Sequence, residues 1–250
     1  MEYDIIVCGG GMSGLSLAYR ALKSEVWANK SILIIDKSDK STNDRTWCFW
    51  ENSISPFEDI IFRKWEDMCF FSVDDSSYLL DSGDYSYNMI RSIDFYNYTL
   101  NYLKLQPNVT IVNENILIIA NTSSHCELVT NNTKYHSEYI FNSIYKKPTL
   151  EEKHTYLLQH FKGVVIESSE LNLDTKKIHL MDFRTGQENG NTFFYVLPTS
   201  DTTALVEYTL FSDRLLDKNV YDEKIAEYIT EVQQIKEYKI VDSEFGVIPM

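Results

Sequence analysis

Four positions near the start of the chain have the types and spacing to hold a nucleotide. "GGGMSG" at 9–14 places Gly9, Gly11 and Gly14 in the pattern G-x-G-x-x-G, and Asp36 follows 22 residues after Gly14. Gly9 suits a tight turn, Gly11 lets backbone approach a pyrophosphate, and Gly14 lets a helix pack close against a strand. A helix starting there offers free N–H groups and the positive end of its dipole to an anion. Asp36 suits a hydrogen bond from an adenosine ribose hydroxyl. Its charge opposes a 2′-phosphate, which points to FAD or NAD rather than NADP.

Three further stretches carry groups capable of chemistry. Arg45, in "TNDRTWCFW" at 42–50, either reaches the same nucleotide or pairs with Asp44 at the surface. Arg91, in "NMIRSIDFYNY", either contacts a flavin phosphate or ribitol or forms a structural salt bridge. Glu207, in "ALVEYTLFS", has two readings. Desolvation among Leu205, Val206, Tyr208 and Leu210 would raise its pKa and keep it protonated, whereas strand alternation could place it on a wet face. Asp182 and Arg184 in "LMDFRT" read as a mutual pair. The histidines (125, 136, 154, 160 and 179) show no zinc spacing, and neither a P-loop nor G-x-S-x-G occurs.

The elements that must position these groups follow from hydrophobic patterning. "YDIIVC" and "SILIID" are continuous apolar runs suited to parallel strands buried on both faces. With the glycine turn and the helical pattern through Leu15, Ala18 and Leu22 between them, they form a βαβ unit. "SIDFYNYTLNYLKL" predicts an amphipathic helix, and residues 109–145 alternate as a β-meander. "KKPTLEEKHT" at 146–155 is the expected domain crossing. The stretch beyond it is strand-like and aromatic, up to a helix predicted over 220–235. The fold class is therefore α/β, α+β overall.

Composition narrows the partners. The 250 residues are 44% hydrophobic and 14% aromatic, which suits a globular chain, and the net charge is −14. That charge makes nucleic acid a poor partner and opposes electrostatic adhesion to anionic lipid, while leaving room for an apolar patch to dock on a membrane. The N-terminus lacks a signal-peptide pattern, and no apolar stretch approaches a membrane span. Cys8, Cys48, Cys69 and Cys126 lack C-x-x-C spacing and read as reduced thiols of a cytoplasmic protein. The abrupt apolar ending "FGVIPM" reads as the end of a partial chain.

In this order after the βαβ unit, "NDRTWCFW", "QHFKGVVI", "MDFRT", "FFYVLP" and "LVEYTLFS" resemble the bacterial lycopene β-cyclases over residues 3–250. The resemblance implies a flavoprotein fold of the glutathione-reductase and hydroxybenzoate-hydroxylase type. In that fold a Rossmann-like FAD-binding domain (1–75 and 89–150) is interleaved with a β-rich substrate domain (76–88 and 151–250). It implies FAD kept reduced by NAD(P)H, with a lycopene end protonated, cyclised through a cation and deprotonated to a β-ionone ring. It implies peripheral association with the membrane that holds the substrate. The acid falls on Glu207, and Tyr208 stands where the family carries a second acidic residue. Tyr195 or Tyr208 are candidates to stabilise the cation. The family's further glycine-rich flavin segment is expected beyond residue 250. Two alternatives remain: a redox flavoenzyme (reductase or hydroxylase) acting on isoprenoids, and a non-catalytic flavin- or polyene-binding fragment.

Overall fold

The computed structural model describes residues 1–122, 124–151 and 153–250. In chain order the elements are β1 (Glu2–Cys8), α1 (Met12–Leu22), β2 (Ile32–Asp36), β3 (Thr46–Glu51), β4 (Arg63–Trp65), β5 (Asp67–Phe71), β6 (Ser77–Leu80), β7 (Ser86–Arg91) and α2 (Ser92–Lys104). They continue with β8 (Val109–Asn113), β9 (Ile116–Asn121), β10 (Cys126–Thr130), β11 (Lys134–Asn142), β12 (Leu158–Glu167), β13 (Lys177–Asp182), β14 (Asn191–Pro198), β15 (Thr203–Ser212), α3 (Lys218–Glu227) and β16 (Lys239–Pro249). A π-helical turn over Tyr228–Val232 extends α3.

The chain divides into two compact units. The first holds Met1–Trp47, Phe57–Ile60 and Ile90–Pro148. Its six-stranded sheet has the order β8-β2-β1-β11-β10-β9. The apolar runs Ile5–Cys8 and Ile32–Ile35 are fully buried, which is why they form the central parallel pair. The expected meander is only partly antiparallel: β9, β10 and β11 follow one another, but β8 lies parallel to β2 and β11 parallel to β1. Helix α1 packs against α2 through Tyr19, whose ring meets those of Phe57, Tyr98 and Tyr102.

The second unit holds Cys48–Pro56, Ile61–Met89 and Thr149–Met250. Its seven-stranded sheet runs β16-β12-β15-β14-β13-β5-β6. One face packs Val164, Phe194, Val206, Tyr208 and Leu210 against Tyr221 and Ile225 of α3 and Tyr228 of the π turn. On the other face, Leu197 and Leu205 join Trp65, Met68 and Met89. The crossing into this unit falls between Pro148 and Thr149, inside the expected stretch, of which Glu152 lies outside the described residues. Residues 48–56 and 61–75, placed by sequence with the nucleotide-binding domain, cluster instead with the β-rich unit. For residues 67–71 the cause is non-local pairing: β5 lies parallel to β13, more than a hundred residues away, and no local pattern signals that partner.

Candidate functional site

The glycine turn between β1 and α1 matches the three demands separately. Gly9 has φ +101°, a conformation that L side chains rarely adopt, and its N–H donates to Ile35 O at 2.8 Å. A Cβ on Gly14 would stand 2.0 Å from Gly9 O, so only glycine allows the helix to come this close to the turn. A Cβ on Gly11 would meet nothing within 4 Å: the position is open toward whatever approaches the turn. Gly11 is also the N-cap of α1 and provides no side chain to cap the helix, so an anion is free to take that place.

Asp36 ends β2 beside this turn. One carboxyl oxygen accepts Gly10 N–H at 2.7 Å and pairs with Lys40 Nζ at 3.0 Å, and the other accepts Ser38 N–H at 2.8 Å. Burial opposes its ionisation, but those N–H donors and the Lys40 ammonium together hold its pKa below the usual value. A carboxylate offers about four acceptor positions; three are used here, which leaves capacity for a ribose hydroxyl. The residues present therefore fit a dinucleotide. Lys40, in the left-handed region at φ 59°, is a partner that sequence reasoning missed, because loop conformation brought it back to Asp36.

The two arginines are engaged differently. The backbone of Arg45 is tied to Ser92, whose hydroxyl accepts Arg45 N–H at 3.0 Å and whose N–H donates to Arg45 O at 2.9 Å. The exposed guanidinium donates to the Asp44 carbonyl, not its carboxylate, which instead accepts from Tyr96 Oη and Ser92 Oγ. Arg91, the N-cap of α2, makes a two-pronged pair with Asp94 at 2.6 and 3.1 Å. The cluster at 42–50 thus anchors the start of α2 through Asn43, Asp44 and Arg45.

In the β-rich unit, strand register builds a row across four strands. Tyr195 of β14 opposes Glu207 of β15, Glu207 opposes Gly163 of β12, and Gly163 opposes Glu244 of β16. The next row on this face is Phe193, Thr209, Phe161 and Gly246, and the row on the other side begins with Leu197, Leu205 and Val165. Glu207 therefore sits on an apolar, aromatic face. Its surroundings differ from the sequence reading in one respect. Side chains alternate along a strand, so Val206 and Tyr208 point away into the core beneath α3, where Tyr208 is fully buried. Tyr195, the other candidate, shares the Glu207 face. Cys48 and Tyr87, which sequence reasoning did not single out, pack on the same cluster as Leu205 and Tyr195.

This face favours neutral groups. Burial, then the charge of Glu244, pushes Glu207 up to about 8, against a hydrogen bond that Thr209 Oγ1 donates to its Oε1 at 2.8 Å. The residue keeps part of its surface accessible. Burial, reinforced by Glu207, pushes Cys48 and Tyr195 each up to about 12 and raises Tyr87 as well. A carboxyl in such a setting holds its proton at neutral pH.

Two other groups found their partners. Asp182 is fully buried and accepts Arg184 Nε at 2.9 Å, Arg184 Nη2 at 2.6 Å and Tyr228 Oη at 2.6 Å, a structural pair as the spacing suggested. The histidine spacing hid one grouping. His125, Glu127 and His136 bring donor atoms within 4.8 Å of one another because β10 pairs Glu127 opposite His136. Lys134 Nζ, 2.6 Å from Glu127 Oε2, already supplies the cation there. Among the described residues, no helix is long and apolar enough to cross a membrane.

The buried parallel strands of the first sheet, the glycine turn and the largely antiparallel sheet of the second unit define a Rossmann-type flavoprotein fold. Solved structures of similar architecture include a geranylgeranyl bacteriochlorophyll reductase-like protein from Thermoplasma acidophilum (14% identity, TM-score 0.70, 99% of this chain and 66% of that one). A flavin-dependent brominase (12%, 0.70, 100% and 68%) and a flavoprotein/dehydrogenase from Cytophaga hutchinsonii (12%, 0.64, 100% and 66%) are similar as well. The chain thus spans about two thirds of the length of these proteins. Residues 4–250 match the model of the family described as lycopene cyclase protein, and the chain belongs to that family. No curated protein matches it.

Proposed function

We propose that this chain is the flavin-binding and acid-bearing part of a lycopene β-cyclase. Glu207, held neutral on an aromatic face, carries that reading. An isolated alkene is a very weak base, so its acid must be neutral, dry and close. A carboxyl with its pKa near 8 and apolar neighbours answers that need. Glu207 donates its proton to a terminal double bond of lycopene. The tertiary cation is captured by the next double bond, and loss of a ring proton leaves a β-ionone end. The neutral rings of Tyr195 and Phe193 on the same face offer π density to the developing charge.

Gly9, Gly11, Gly14 and Asp36 would hold FAD, with Arg45 and Arg91 near the following elements as further phosphate or ribitol contacts. When bound and reduced by NAD(P)H, FAD would supply electron density to a reaction with no net redox change. Because lycopene resides in the bilayer, the protein meets it as a cytoplasmic, peripherally docked enzyme. Exposed apolar side chains such as Ile54, at 88% exposure, support docking by apolar contact rather than by charge. Association with lycopene-loaded vesicles should then survive high salt, and complete release by salt would contradict it.

The test of the reaction class is product mass. Lycopene supplied with reduced FAD should yield γ- or β-carotene of unchanged mass. A product altered by two hydrogens or one oxygen would make this a reductase or hydroxylase, and bound pigment without conversion would make it a binding fragment.

A further inference from the structure

The proposed reaction needs two proton transfers at different carbons. The acid protonates the terminal alkene, and a base then removes a proton from the closed ring. A single carboxyl would have to reorient between these steps. The β-rich unit offers a second one. Glu244 of β16 lies in the same cross-strand row as Glu207, with only Gly163 between them. Two strand spacings separate the backbones by about 10 Å, a gap that two glutamate side chains can narrow from both sides. The glycine is what lets them do so. A Cβ at 163 would stand 3.3 Å from Glu244 Cγ and 3.4 Å from its Oε1, so the Glu244 side chain lies over the bare backbone on the Glu207 side. Gly246 repeats the device one row along, where the Phe161 ring occupies the place of its missing side chain. The two glycines thus leave a carboxyl and an aromatic ring lying across the strands of one face.

We infer that Glu244 is the base that takes the ring proton after Glu207 has protonated the substrate. This rests on the cyclase reading above and adds a second catalytic residue to it. The Glu207 O–H bond breaks as a C–H bond forms at the terminal alkene, whose π pair is consumed. The π pair of the neighbouring double bond closes the ring. A ring C–H bond then breaks, leaving its electron pair as the ring double bond and its proton on the Glu244 carboxylate. Glu207 ends as the carboxylate and Glu244 as the acid. Exchange with solvent then returns Glu207 to the acid and Glu244 to the carboxylate, so the pair holds one proton at the start and at the end of each cycle. No electrons are gained or lost. The position of the base also sets the ring type, because the cation yields different double bonds according to which neighbouring C–H lies nearest the acceptor.

The test compares Glu207→Gln, Glu244→Gln and Glu244→Asp in the full chain, with lycopene vesicles and reduced FAD in deuterated water. Glu244→Gln should slow β-ring formation at least tenfold while proton donation continues. Recovered lycopene should therefore gain deuterium at its terminal alkene carbons, or rings should appear with the double bond displaced. Glu244→Asp should restore β-rings in part. Glu207→Gln should show neither ring nor exchange. Wild-type rate and ring type in Glu244→Gln would overturn the inference. So would loss of both cyclisation and exchange in that variant, because that marks a merely structural residue. If Glu207→Gln cyclises normally, the acid assignment fails instead, whatever Glu244 does.

Discussion

Glu207 and Gly163 are direct partners across the β12–β15 pair, and Glu244 borders the space that a side chain at 163 would take. Gly163→Ala would put a Cβ 3.0 Å from Leu205 Cδ1 and 3.3 Å from Glu244 Cγ. The flexible Glu244 gives way more readily than the buried Leu205. The variant should therefore fold with little change in thermal midpoint, while displacement of the carboxyl lowers the cyclisation rate by about 10- to 100-fold. Single-turnover rates beside a melting curve separate the two effects. An unchanged rate would show that the row is not used.

The glycine turn predicts a contrast between two substitutions. Gly11→Val adds a side chain where the protein leaves open space, so the flavin-free protein should keep its stability and lose flavin binding. Gly14→Ala replaces a helical glycine, which elsewhere gains about 1 kcal/mol. Here the new Cβ meets Gly9 O at 2.0 Å, and the clash should cost about 1–3 kcal/mol net, seen without any flavin. Denaturant unfolding and flavin absorbance check the pair. Equal effects from both variants would contradict the separate roles.

The pH dependence follows from the direction of the Glu207 shift. Its folded pKa of about 8 lies above the ordinary 4.5, so the folded protein binds the extra proton between those values. Stability should therefore fall as pH rises through that window, and activity should drop above pH 8 as the acid form is lost. Glu207→Gln should remove this part of the stability slope, measured by thermal unfolding across pH 4–9. A wild-type rate still rising at pH 9 would exclude Glu207 as the acid.

Asp182 runs the other way. Burial opposes its charge, but the Arg184, His179 and Tyr228 contacts prevail and hold its pKa far below 3.8. Its contribution to stability is present at neutral pH and is lost only as pH falls below that value. Asp182→Ala would leave Arg184 facing an emptied site, at a cost of about 3–5 kcal/mol. Chemical denaturation at pH 7 reads this directly. A loss below 1 kcal/mol would mean that solvent replaces the carboxylate.

Local patterns carried the first unit and only part of the second. The apolar runs of β1 and β2, the glycine turn between them and Asp36 were legible because strand, turn and helix are neighbours in sequence. The same physics could have placed Tyr208 away from Glu207, since adjacent strand residues face opposite sides. Glu244 was not legible. It lies 37 residues after Glu207 and reaches the same row only because β12 pairs with β15 on one side and β16 on the other. Nothing local to "QHFKGVVI" marks Gly163 as the glycine that Glu244 lies over. Lys40 met Asp36 through a left-handed loop residue that composition does not announce.

The central claim is that Glu207 delivers a proton to carbon. Wild-type protein turning over lycopene in deuterated water should place one solvent deuterium in each new β-ring with no change in oxidation level. Glu207→Gln should retain flavin and lose at least about 10²-fold in that incorporation, the low end for general acid catalysis. Rings formed without solvent deuterium, or formed normally by the glutamine variant, would contradict the claim.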